Sequence, residues 1–592
     1  MKNFRRFQRQ HQLDKYLVSS LHPHRWPRWH QVKHLPLILN QRERRTAGMY
    51  TAVLIIGITG LFISGYLGLT TATPQRGGEY SEALVGSPRF INPILAQTND
   101  VDLDLSRLVF SGLMQYDAQR QLVPDLAESY AISDDGLTYT FVLRSSVTWH
   151  DGEPLKVDDI LFTIASIQDP DFKSPLGRSF RGVVAERIDD RTVKLTLKEP
   201  FAPFLGLLTV GILPEHLWYA IPSLNASLAE LNQKPVGTGP WRFDSSKKDS
   251  TGVYHSYTLA RNAEYYGPQA YLDKLTFKFY PDTISAIDAL KAKSVKGLAY
   301  LPGELTDELR QNKNLDYHQL AQHQYTAVFF NGNRNTLLKT AYVREALALA
   351  TDKERIATEA FSGTGEVIDS PTLPGIAAPN DLKRYAHNPQ AAAELLEKNG
   401  WKLVATTTAD GLTEQLRIKQ GTRLEIKLTT VDQPQLIKAA ELIKQSWDQI
   451  GFKTTIEVIG RDKIISDTIN NRNYEALLFG QNLGSDPDPF AFWHSSQSTF
   501  PGLNLAVFSS RQIDELLETG RSSKTTEERQ KIYQNFSRQL ALELPAIFIY
   551  NPRYTYVQSR LLHGNTLGRI GIAADRFTTV SQWYLNTKRV WR

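Results

Sequence analysis

A run of 21 residues without a charged side chain, Met49–Leu69, constrains this chain more than any other stretch. As an α-helix rising about 1.5 Å per residue, it is long enough to span the roughly 30 Å hydrocarbon core of a bilayer. Its internal glycines Gly57, Gly60 and Gly65 are tolerated in membrane helices. The alternative is a buried helix of a soluble protein, but such a helix would normally show one polar face, which this run lacks. The run therefore predicts one transmembrane helix.

The charges on either side of this run predict its orientation. Residues 1–48 contain 11 Lys and Arg against 2 Asp and Glu, and Arg42, Arg44 and Arg45 lie just before the run. Basic residues are retained on the cytoplasmic side, so we expect a single-pass cell-membrane protein with a cytoplasmic N-terminus and an extracellular C-terminal domain. The alternative is a cleaved signal peptide with its site near Ala72, although the leader and the apolar core are both longer than is typical.

Composition limits what the outer part can be. Removing residues 1–48 from the totals of 68 basic and 62 acidic residues leaves 57 and 60, so we expect no nucleic-acid partner for the ectodomain. Cysteine is absent, which excludes disulfides and a lipidated N-terminal cysteine as the anchor. The 523 residues from Thr70 onward are enough for two or three domains.

The basic segment 1–48 contains the stretch LHPHRWPRWHQVKHLPLIL, in which tryptophans, cations and four histidines are mixed. One interpretation is a segment that lies on the anionic inner leaflet, and the other is simple disorder. Pro23, Pro27 and Pro36 break any helix that would align the histidines, so we expect no metal site there.

Two stretches of the ectodomain each predict a β-α-β unit. Their predicted elements are a strand at Leu275–Phe279, a helix capped by Asp282 and a strand at Gly297–Leu301, then a strand at Leu424–Leu428, a helix over Leu436–Ile450 and a strand at Thr454–Ile459. Each unit implies parallel strands joined by a crossover helix. Because the units are about 150 residues apart, they predict two separate α/β lobes.

The remaining periodic segments predict shorter elements. These are a strand at Glu79–Leu84, a helix over Asn99–Phe110, a strand at Thr138–Arg144, a helix capped by Asp158 or Asp159, a hairpin of Val183–Ile188 with Thr192–Leu197, and a buried strand at Tyr474–Phe479.

Patterns typical of catalysis are missing from the sequence. It contains no G-x-S-x-G, H-E-x-x-H, G-x-x-x-x-G-K-[ST] or EF-hand pattern, and the absence of cysteine excludes thiol chemistry. We therefore expect no catalytic residue, no metal and no cofactor, and we predict that the protein is not an enzyme. A hydrolase stays open as an alternative without a named nucleophile.

The loop Gly480–Gln497 is the most unusual segment for binding. Asp486 and Asp488 alternate with two prolines that stiffen the backbone, and Trp493 follows with two phenylalanines. A rigid carboxylate beside aromatic rings suits a cationic group such as a peptide amine, so we expect Asp486 to be the polar anchor and Trp493 an apolar wall. The alternative is an Asp-Pro turn that starts a helix, with the aromatic residues in the core. The prolines and the lack of a spaced Glu ligand argue against a calcium loop.

A second candidate is Val236–Trp241, VGTGPW. Gly237 and Gly239 permit a close approach of backbone to a ligand, Thr238 offers a hydroxyl and Trp241 an apolar wall. A tight crossover between domains is an equally open interpretation.

Taken together, several segments resemble one known family, the family 5 extracellular solute-binding proteins. They are the oligopeptide-, dipeptide- and nickel-binding receptors of ABC importers, and the resemblance covers about Gly77 to Trp591. The segments are RLVFSGLMQYD (107–117), LVPDLAESYAISDDGLTYTFVLRSSVTWHDGEPLKVDDILFTI (122–164), VGTGPWRF (236–243), YTAVFFNGNR (325–334), VREALALATDKERI (343–356), SDPDPFAFWHSSQ (485–497) and LPAIFIYNPRYTYV (544–557).

The resemblance implies an α/β, two-lobed periplasmic-binding-protein-like fold with a hinge and an inserted extra subdomain, here preceded by the transmembrane helix. The implied domains are lobe I at 76–115, 233–324 and 550–592, the inserted subdomain at 116–232 and lobe II at 325–549, with the hinge near Tyr325–Asn331 and Ala546–Asn551. The implied function is capture of a solute, with an oligopeptide as the expected one, and delivery to the permease subunits of an ABC transporter. A non-transport ectodomain for signalling or adhesion stays open.

The chain departs from the family pattern at one place. Peptide binders of this family often hold the ligand amine with an Asp four positions before the proline of an Asp-Pro pair, and the matching positions here are Ser485 or Leu483. Asp486 is the expected substitute. Asn482, Asn92 and Tyr325 complete the predicted ligand-binding set with Asp486, Trp493, Trp241 and Thr238.

Overall fold

The computed structural model describes residues 39–305, 309, 312–373, 378–407, 413–484, 486, 488–523, 525–566 and 568–591. The interpretations of segment 1–38, and those of Ser485 and Pro487, lie outside these residues. The chain forms two units, one holding the chain up to Gln75 with the residues from Thr587 onward, and the other Arg76–Asn586. Each is described by itself.

The described strands and α-helices are numbered in chain order. The strands are β1 (Thr70–Gln75), β2 (Glu79–Val85), β3 (Met114–Tyr116), β4 (Leu122–Pro124), β5 (Ala127–Ile132), β6 (Thr138–Leu143), β7 (Val184–Arg187), β8 (Thr192–Thr196), β9 (Trp241–Lys248), β10 (Tyr254–Arg261), β11 (Lys274–Tyr280), β12 (Gly297–Leu298), β13 (Leu315–Ala321), β14 (Gln324–Phe330), β15 (Gly365–Val367), β16 (Lys402–Thr407), β17 (Thr413–Lys419), β18 (Thr422–Arg423), β19 (Glu425–Val431), β20 (Lys453–Ile459), β21 (Ala476–Asn482), β22 (Ala546–Ser559) and β23 (Asn586–Trp591). The helices are α1 (Gln41–Leu69), α2 (Asp100–Val109), α3 (Val157–Gln168), α4 (Phe204–Leu207), α5 (Glu215–Trp218), α6 (Thr283–Lys291), α7 (Ala341–Ala350), α8 (Lys353–Glu359), α9 (Pro389–Lys398), α10 (Pro434–Gln449), α11 (Phe490–Trp493), α12 (Arg511–Arg521) and α13 (Thr526–Glu543).

The small unit consists of α1 and a two-stranded sheet of β1 with β23. Helix α1 has 29 residues, and none of them is buried. It begins two turns before the predicted apolar run, where the backbone N–H of Asn40 donates to Glu43 Oε2 at 3.0 Å. Arg589 Nε donates to Thr70 Oγ1 at 2.8 Å beyond the C-terminal end of α1. The predicted helix is confirmed, and it is long and apolar enough to cross a membrane, a test that a signal sequence also passes.

The large unit is built around one long mixed sheet. Its strand order is β20-β19-β21-β14-β22-β12-β2-β11-β10-β9, with β13 and β15 also paired to β22. Strand β22 has 14 residues. Its first half pairs with β14 and its second half with β12 and β13, so the two halves of the sheet share one strand.

Two large hydrophobic cores lie on either side of this shared strand. One contains buried residues between Tyr325 and Tyr550, and the other contains buried residues between Tyr80 and Leu320 together with Tyr554–Trp583. Separate cores define two lobes. The chain passes between them at the β13–β14 connection, just before the predicted hinge segment, and within β22. The exact domain boundaries stay a prediction.

Both predicted β-α-β units are present. In the second lobe β19 and β20 pair in parallel and α10 joins them. In the first lobe β11 and β12 are both parallel to β2, which lies between them. Asp282 Oδ1 accepts the backbone N–H of Ser285 at 2.8 Å and so caps α6, as predicted.

Helix α3 begins differently from the prediction. Its first residue is Val157, and Lys156 occupies the N-cap position that we expected Asp158 or Asp159 to fill. Asp159 lies in the first turn, and its Oδ2 accepts the backbone N–H of Lys156 at 2.8 Å. A carboxylate in the first turn satisfies a free donor as well as an N-cap residue does, so both patterns look alike in sequence.

The segment between β2 and β9 carries its own four-stranded antiparallel sheet, β5-β6-β8-β7. The predicted hairpin is confirmed as β7 with β8, and the predicted strand at Thr138 as β6. This sheet and the β3–β4 hairpin form what we call the inserted subdomain.

A fully buried cluster of charges ties three distant segments of the first lobe together. Arg576, which is 0% exposed, donates through Nη2 to Glu82 Oε1 at 2.8 Å and through Nη1 to Asp104 Oδ1 at 2.8 Å. Tyr556 donates its hydroxyl to Glu82 Oε2 at 2.7 Å. Burial raises the pKa of Asp104 to about 6 although Arg576 opposes this, so the cation is needed to keep the carboxylate charged.

We predict that Arg576→Leu destabilises the large unit by about 3–5 kcal/mol, because it leaves two buried carboxylates without a cation. Unfolding in urea, followed by tryptophan fluorescence, measures the loss. The triple variant that adds Glu82→Gln and Asp104→Asn should recover most of the stability, since it removes the uncompensated charge. Equal stability of Arg576→Leu and the unchanged protein would contradict the prediction.

Candidate functional site

A cavity of about 1090 Å³ lies between the inserted subdomain, the α12–α13 region of the second lobe, and His323 in the β13–β14 connection between the lobes. We call it the main cavity. Its apolar wall consists of Tyr116, Leu122, Tyr130, Ile132, Tyr139, Phe201, Leu205 and Tyr533, and its charged lining consists of Arg120, Asp134, Asp135, Asp486, Arg521, Arg529 and Arg569. Rings and charges of both signs suit an elongated ligand that is partly apolar and partly charged.

Asp486 lines the main cavity and already has a partner, while its role as a ligand contact stays a prediction. Arg529 donates to both of its oxygens, Nη1 to Oδ2 at 2.9 Å and Nη2 to Oδ1 at 2.8 Å. Burial lowers the pKa of Arg529, but the Asp486 carboxylate outweighs it and raises the pKa above its ordinary value. Each carboxylate oxygen retains a second lone pair, so a ligand amine can still approach.

The neighbouring carboxylate, that of Asp488, also accepts hydrogen bonds from protein side chains on both oxygens. Arg521 Nε donates to its Oδ2 at 2.7 Å, and the hydroxyl of Tyr533 donates to its Oδ1 at 2.9 Å. Helices α12 and α13 thus hold the Asp-Pro loop from one side. The loop is positioned by ion pairs that the sequence pattern did not reveal.

The inserted subdomain contacts the second lobe at the rim of the main cavity. The guanidinium of Arg521 lies 3.7 Å from the ring centre of Phe490 and 5.0 Å from that of Phe201. The backbone N–H of Ala202 donates to the carbonyl of Arg521 at 2.8 Å. We call these contacts the rim contact, and they join the two sides of the cavity directly.

The β3–β4 hairpin brings Arg120 to the floor of the main cavity. Arg120 has a φ of 63°, in the left-handed region, and its guanidinium lies 4.1 Å from the ring centre of Tyr116. Its Nη1 is 2.7 Å from Asp575 Oδ2, on the C-terminal segment of the first lobe. Asp117 Oδ1 accepts the backbone N–H of Gln121 at 2.8 Å and stabilises the turn. The cation is therefore held by local turn chemistry and by an ion pair.

Asn482 faces another cavity. That cavity has a volume of about 580 Å³ and is lined by Tyr550 and Arg461 together with Tyr300 of the first lobe. The side-chain oxygen of Asn482 accepts the backbone N–H of Gly484 at 2.9 Å. The structure therefore places Asp486 and Asn482 in different cavities, although they are close in sequence.

The other two predicted residues of the second lobe are part of its core. Trp493 is 1% exposed, and its ring lies 6.1 Å from that of Phe329 and 5.6 Å from that of Phe548. Tyr325 is fully buried, and its hydroxyl donates to Gln481 Oε1 at 2.6 Å. Neither residue lines the main cavity, which corrects the expectation that Trp493 is an apolar wall for the ligand. The physical reason is that apolar residues beside a loop pack inward when a hydrophobic core lies behind the loop.

The three predicted residues of the first lobe are also buried, namely Asn92, Thr238 and Trp241. The Asn92 amide donates to Asn232 Oδ1 at 3.2 Å and belongs to a buried turn. A Cβ on Gly237 would lie 2.0 Å from the carbonyl oxygen of Val109, so the close approach is to the chain's own backbone. This corrects the ligand interpretation of VGTGPW in favour of a tight packing contact.

Sequence reasoning missed the arginines of the main cavity, Arg120, Arg521, Arg529 and Arg569. Arg521 and Arg529 bracket the polar connection between α12 and α13, and on amphipathic helices such residues are typical of a solvated face. The sequence feature that could have indicated these arginines was the Asp-Pro loop, because two rigid carboxylates near a core require cations as partners.

Asp125 anchors the end of the hairpin that carries Arg120. It is 6% exposed, and the hydroxyl of Tyr266 donates to its Oδ1 at 2.6 Å. Burial raises the pKa of Asp125 to about 6, above the ordinary value of 3.8, and the bond from Tyr266 opposes this only in part. Between these two values the folded protein binds more protons at this site than the unfolded chain does.

We predict that Asp125 makes the folded state less stable as the pH rises from about 4 to about 6. Asp125→Asn should therefore gain stability relative to the unchanged protein over that window, by no more than about 3 kcal/mol, and the difference should be constant above it. Urea unfolding at several pH values between 4 and 7 checks this. A difference that does not change with pH would show that the carboxyl is not perturbed.

Comparisons with known proteins agree on one family. Residues 121–502 match the model of the bacterial extracellular solute-binding proteins, family 5 Middle. The chain is 26% identical to the oligopeptide-binding protein AppA of Bacillus subtilis, over 88% of this chain and 96% of that protein. It is 28% identical to the nickel-binding periplasmic protein of Escherichia coli, over 78% and 87% respectively.

Solved structures show the same fold. The structure of Bacillus subtilis AppA in complex with a nonapeptide matches with a TM-score of 0.66 and 26% identity, covering 87% of this chain and all of that one. The structure of NikZ from Campylobacter jejuni in complex with Ni(L-His) matches with a TM-score of 0.67 and 27% identity, covering 86% of this chain and 99% of that one.

Proposed function

We propose that this chain, which belongs to the family 5 bacterial extracellular solute-binding proteins, captures an oligopeptide in the main cavity and delivers it to the permease of an ABC importer. Proteins of this family are transport receptors and not enzymes. The observation that carries the proposal is the position of the main cavity, between two lobes with separate cores and against the β13–β14 connection that joins them. Lobe closure around a solute at such a place is a hinge motion.

The lining of the main cavity supports a peptide as the solute. A volume of about 1090 Å³ is at the upper end of the range for small-molecule sites. Tyrosines and aliphatic side chains offer contact area to apolar side chains, while arginines and aspartates offer partners to charged ones. The relative whose structure contains a nonapeptide supports the same ligand class. In this proposal Asp486 receives the peptide amine while Arg529 keeps its own bonds.

Binding and closure are tested together. Isothermal titration of the fragment 76–592 with a mixed hexapeptide library should show saturable binding, and X-ray scattering should show a smaller radius of gyration with the peptides present. The variant Phe201→Ala removes a ring from the rim contact and should weaken the contraction. Mass spectrometry should recover every peptide intact, since a receptor does not cleave its ligand. Absence of binding, or fragments, would contradict the proposal.

We further propose that Met49–Leu69 anchors the protein in the cell membrane as a single-pass helix with the solute-binding domain outside. The support is the length of α1, the absence of buried residues along it and the arginines at its start. A tether of this kind confines the receptor to the surface that holds the permease.

We predict that alkaline carbonate extraction leaves the full-length chain in the membrane pellet. A matched control is the variant Leu61→Arg with Ile56→Arg, which places two charges in the middle of the helix and should move the protein into the soluble fraction, because each charge there costs about 2.5–3.5 kcal/mol. Release of a soluble unchanged protein that begins near Thr73 would show a cleaved signal sequence instead.

A further inference from the structure

The arginines of the main cavity differ in whether they form an ion pair with a carboxylate. Arg120, Arg521 and Arg529 are each within 2.7 to 2.8 Å of a carboxylate oxygen. For Arg569, the described residues contain no carboxylate within ion-pair distance, and its Nη1 is buried without a hydrogen-bond partner. A buried guanidinium nitrogen without an acceptor is costly, so the site favours an acceptor that comes from outside the chain.

Arg569 has no carboxylate of its own among the described residues, because the nearby Glu366, whose negative charge acts on Arg569, is shared with Arg553. Arg569 also lines a small cavity of about 160 Å³ that contains Glu366 and Arg553. Arg553 Nη2 lies 3.4 Å from Glu366 Oε2, so that carboxylate already has a cation. On the side of the main cavity, Asp575 is paired with Arg120. One positive charge is left over where the two cavities meet.

Backbone contacts hold Arg569 beside the connection between β13 and β14, where the chain passes between the lobes. The N–H of Ile570, the next residue, donates to the carbonyl of Ala321 at 3.1 Å, and Ile570 also forms an isolated parallel bridge with Gln322. Ala321 and Gln322 lie at the connection between β13 and β14. A ligand group bound by Arg569 would therefore contact the place where the chain passes from one lobe to the other.

We propose that Arg569 binds a carboxylate of the solute, through the guanidinium nitrogen that now lacks an acceptor. The ligand is thus a carboxylate-bearing molecule. If it is a peptide, its free C-terminus or an acidic side chain lies beside the connection between β13 and β14. This inference rests on the proposed function in one respect, that the solute binds in the main cavity. It does not require the solute to be a peptide. A guanidinium and a carboxylate form a strong charge-assisted pair, and Arg569 is half-buried, which reduces the screening of that pair by solvent.

The test uses the full chain in detergent and two probes. The first is a mixed hexapeptide library in free-acid form, compared with the same library in C-terminal amide form and with acidic residues left out. The second is succinate, a simple dicarboxylate, followed by the rise in unfolding temperature. The variants are Arg569→Gln, Arg569→Lys and the control Arg560→Gln, an exposed arginine paired with Asp316 at 2.9 Å and outside both cavities.

We expect the unchanged protein to prefer the free-acid library by about tenfold to a hundredfold, the usual value of a hydrogen bond to a charged group. Arg569→Gln should lose this preference and the response to succinate, Arg569→Lys should retain part of both, and Arg560→Gln should match the unchanged protein. A role of Arg569 in folding alone would lower the affinity for both libraries equally, and that result would overturn the inference.

The two proposals fail in different ways. Binding of both libraries with equal affinity, and the same in Arg569→Gln, overturns carboxylate recognition and leaves the peptide receptor intact. Binding of succinate that requires Arg569, without binding of either library, supports carboxylate recognition and overturns the peptide as the solute. Binding of neither probe overturns both.

Discussion

Strand β22 is the constraint on which the arrangement of the large unit depends, because it belongs to both lobes. At about 3.4 Å per residue its 14 residues extend over roughly 48 Å, from one core into the other. In its middle the Asn551 amide donates to the carbonyls of Gln322 and Gln324 at 2.8 and 2.6 Å. These bonds tie β22 to the connection between β13 and β14. Pro552, next to it, has no N–H to offer the sheet. The main cavity lies against this junction, and any opening of the lobes bends the same two backbones.

Compensation of buried charge determines the chemistry of the main cavity. The carboxylates of the Asp-Pro loop and of the C-terminal segment each have an arginine, and the arginines come from elements far away in sequence. Ion pairs that are partly removed from water break at a high cost when one partner is lost, which holds the walls in place before a ligand arrives. Against this background the guanidinium of Arg569, which forms no ion pair with a carboxylate among the described residues, is a specific feature and not part of a general positive field.

The proposed membrane anchor gives the capture of solute a physical context. A receptor held at the membrane surface meets the permease at an effective concentration set by its tether, without a search in three dimensions. The affinity for the permease can then be weak and still support delivery, which leaves the solute as the main determinant of lobe closure. In the small unit, β1 continues directly from α1 and pairs with β23, so the segment after the helix and the C-terminal end of the described chain meet in one short sheet.

The sequence alone was enough for the apolar helix, the two β-α-β units, the β7–β8 hairpin and the family, because these depend on local periodicity, on turn residues and on motifs in a fixed order. It also directed attention to Asp486. It was not enough to tell which aromatic residues face the cavity: Trp493 and Trp241 are next to polar, glycine-rich or proline-rich segments, as ligand-contacting residues often are, yet each packs into a core.

Only the tertiary structure decided which charges meet. The pair of Asp486 with Arg529 joins residues 43 positions apart, and the cluster of Arg576 with Glu82 joins residues 494 positions apart. Such distances carry no periodic signal, because the contact is made by the path of the sheet and not by the spacing of the residues. The sequence by itself therefore determined the elements and their order, while the fold determined which arginines pair with a carboxylate, and which one we propose is left for a ligand.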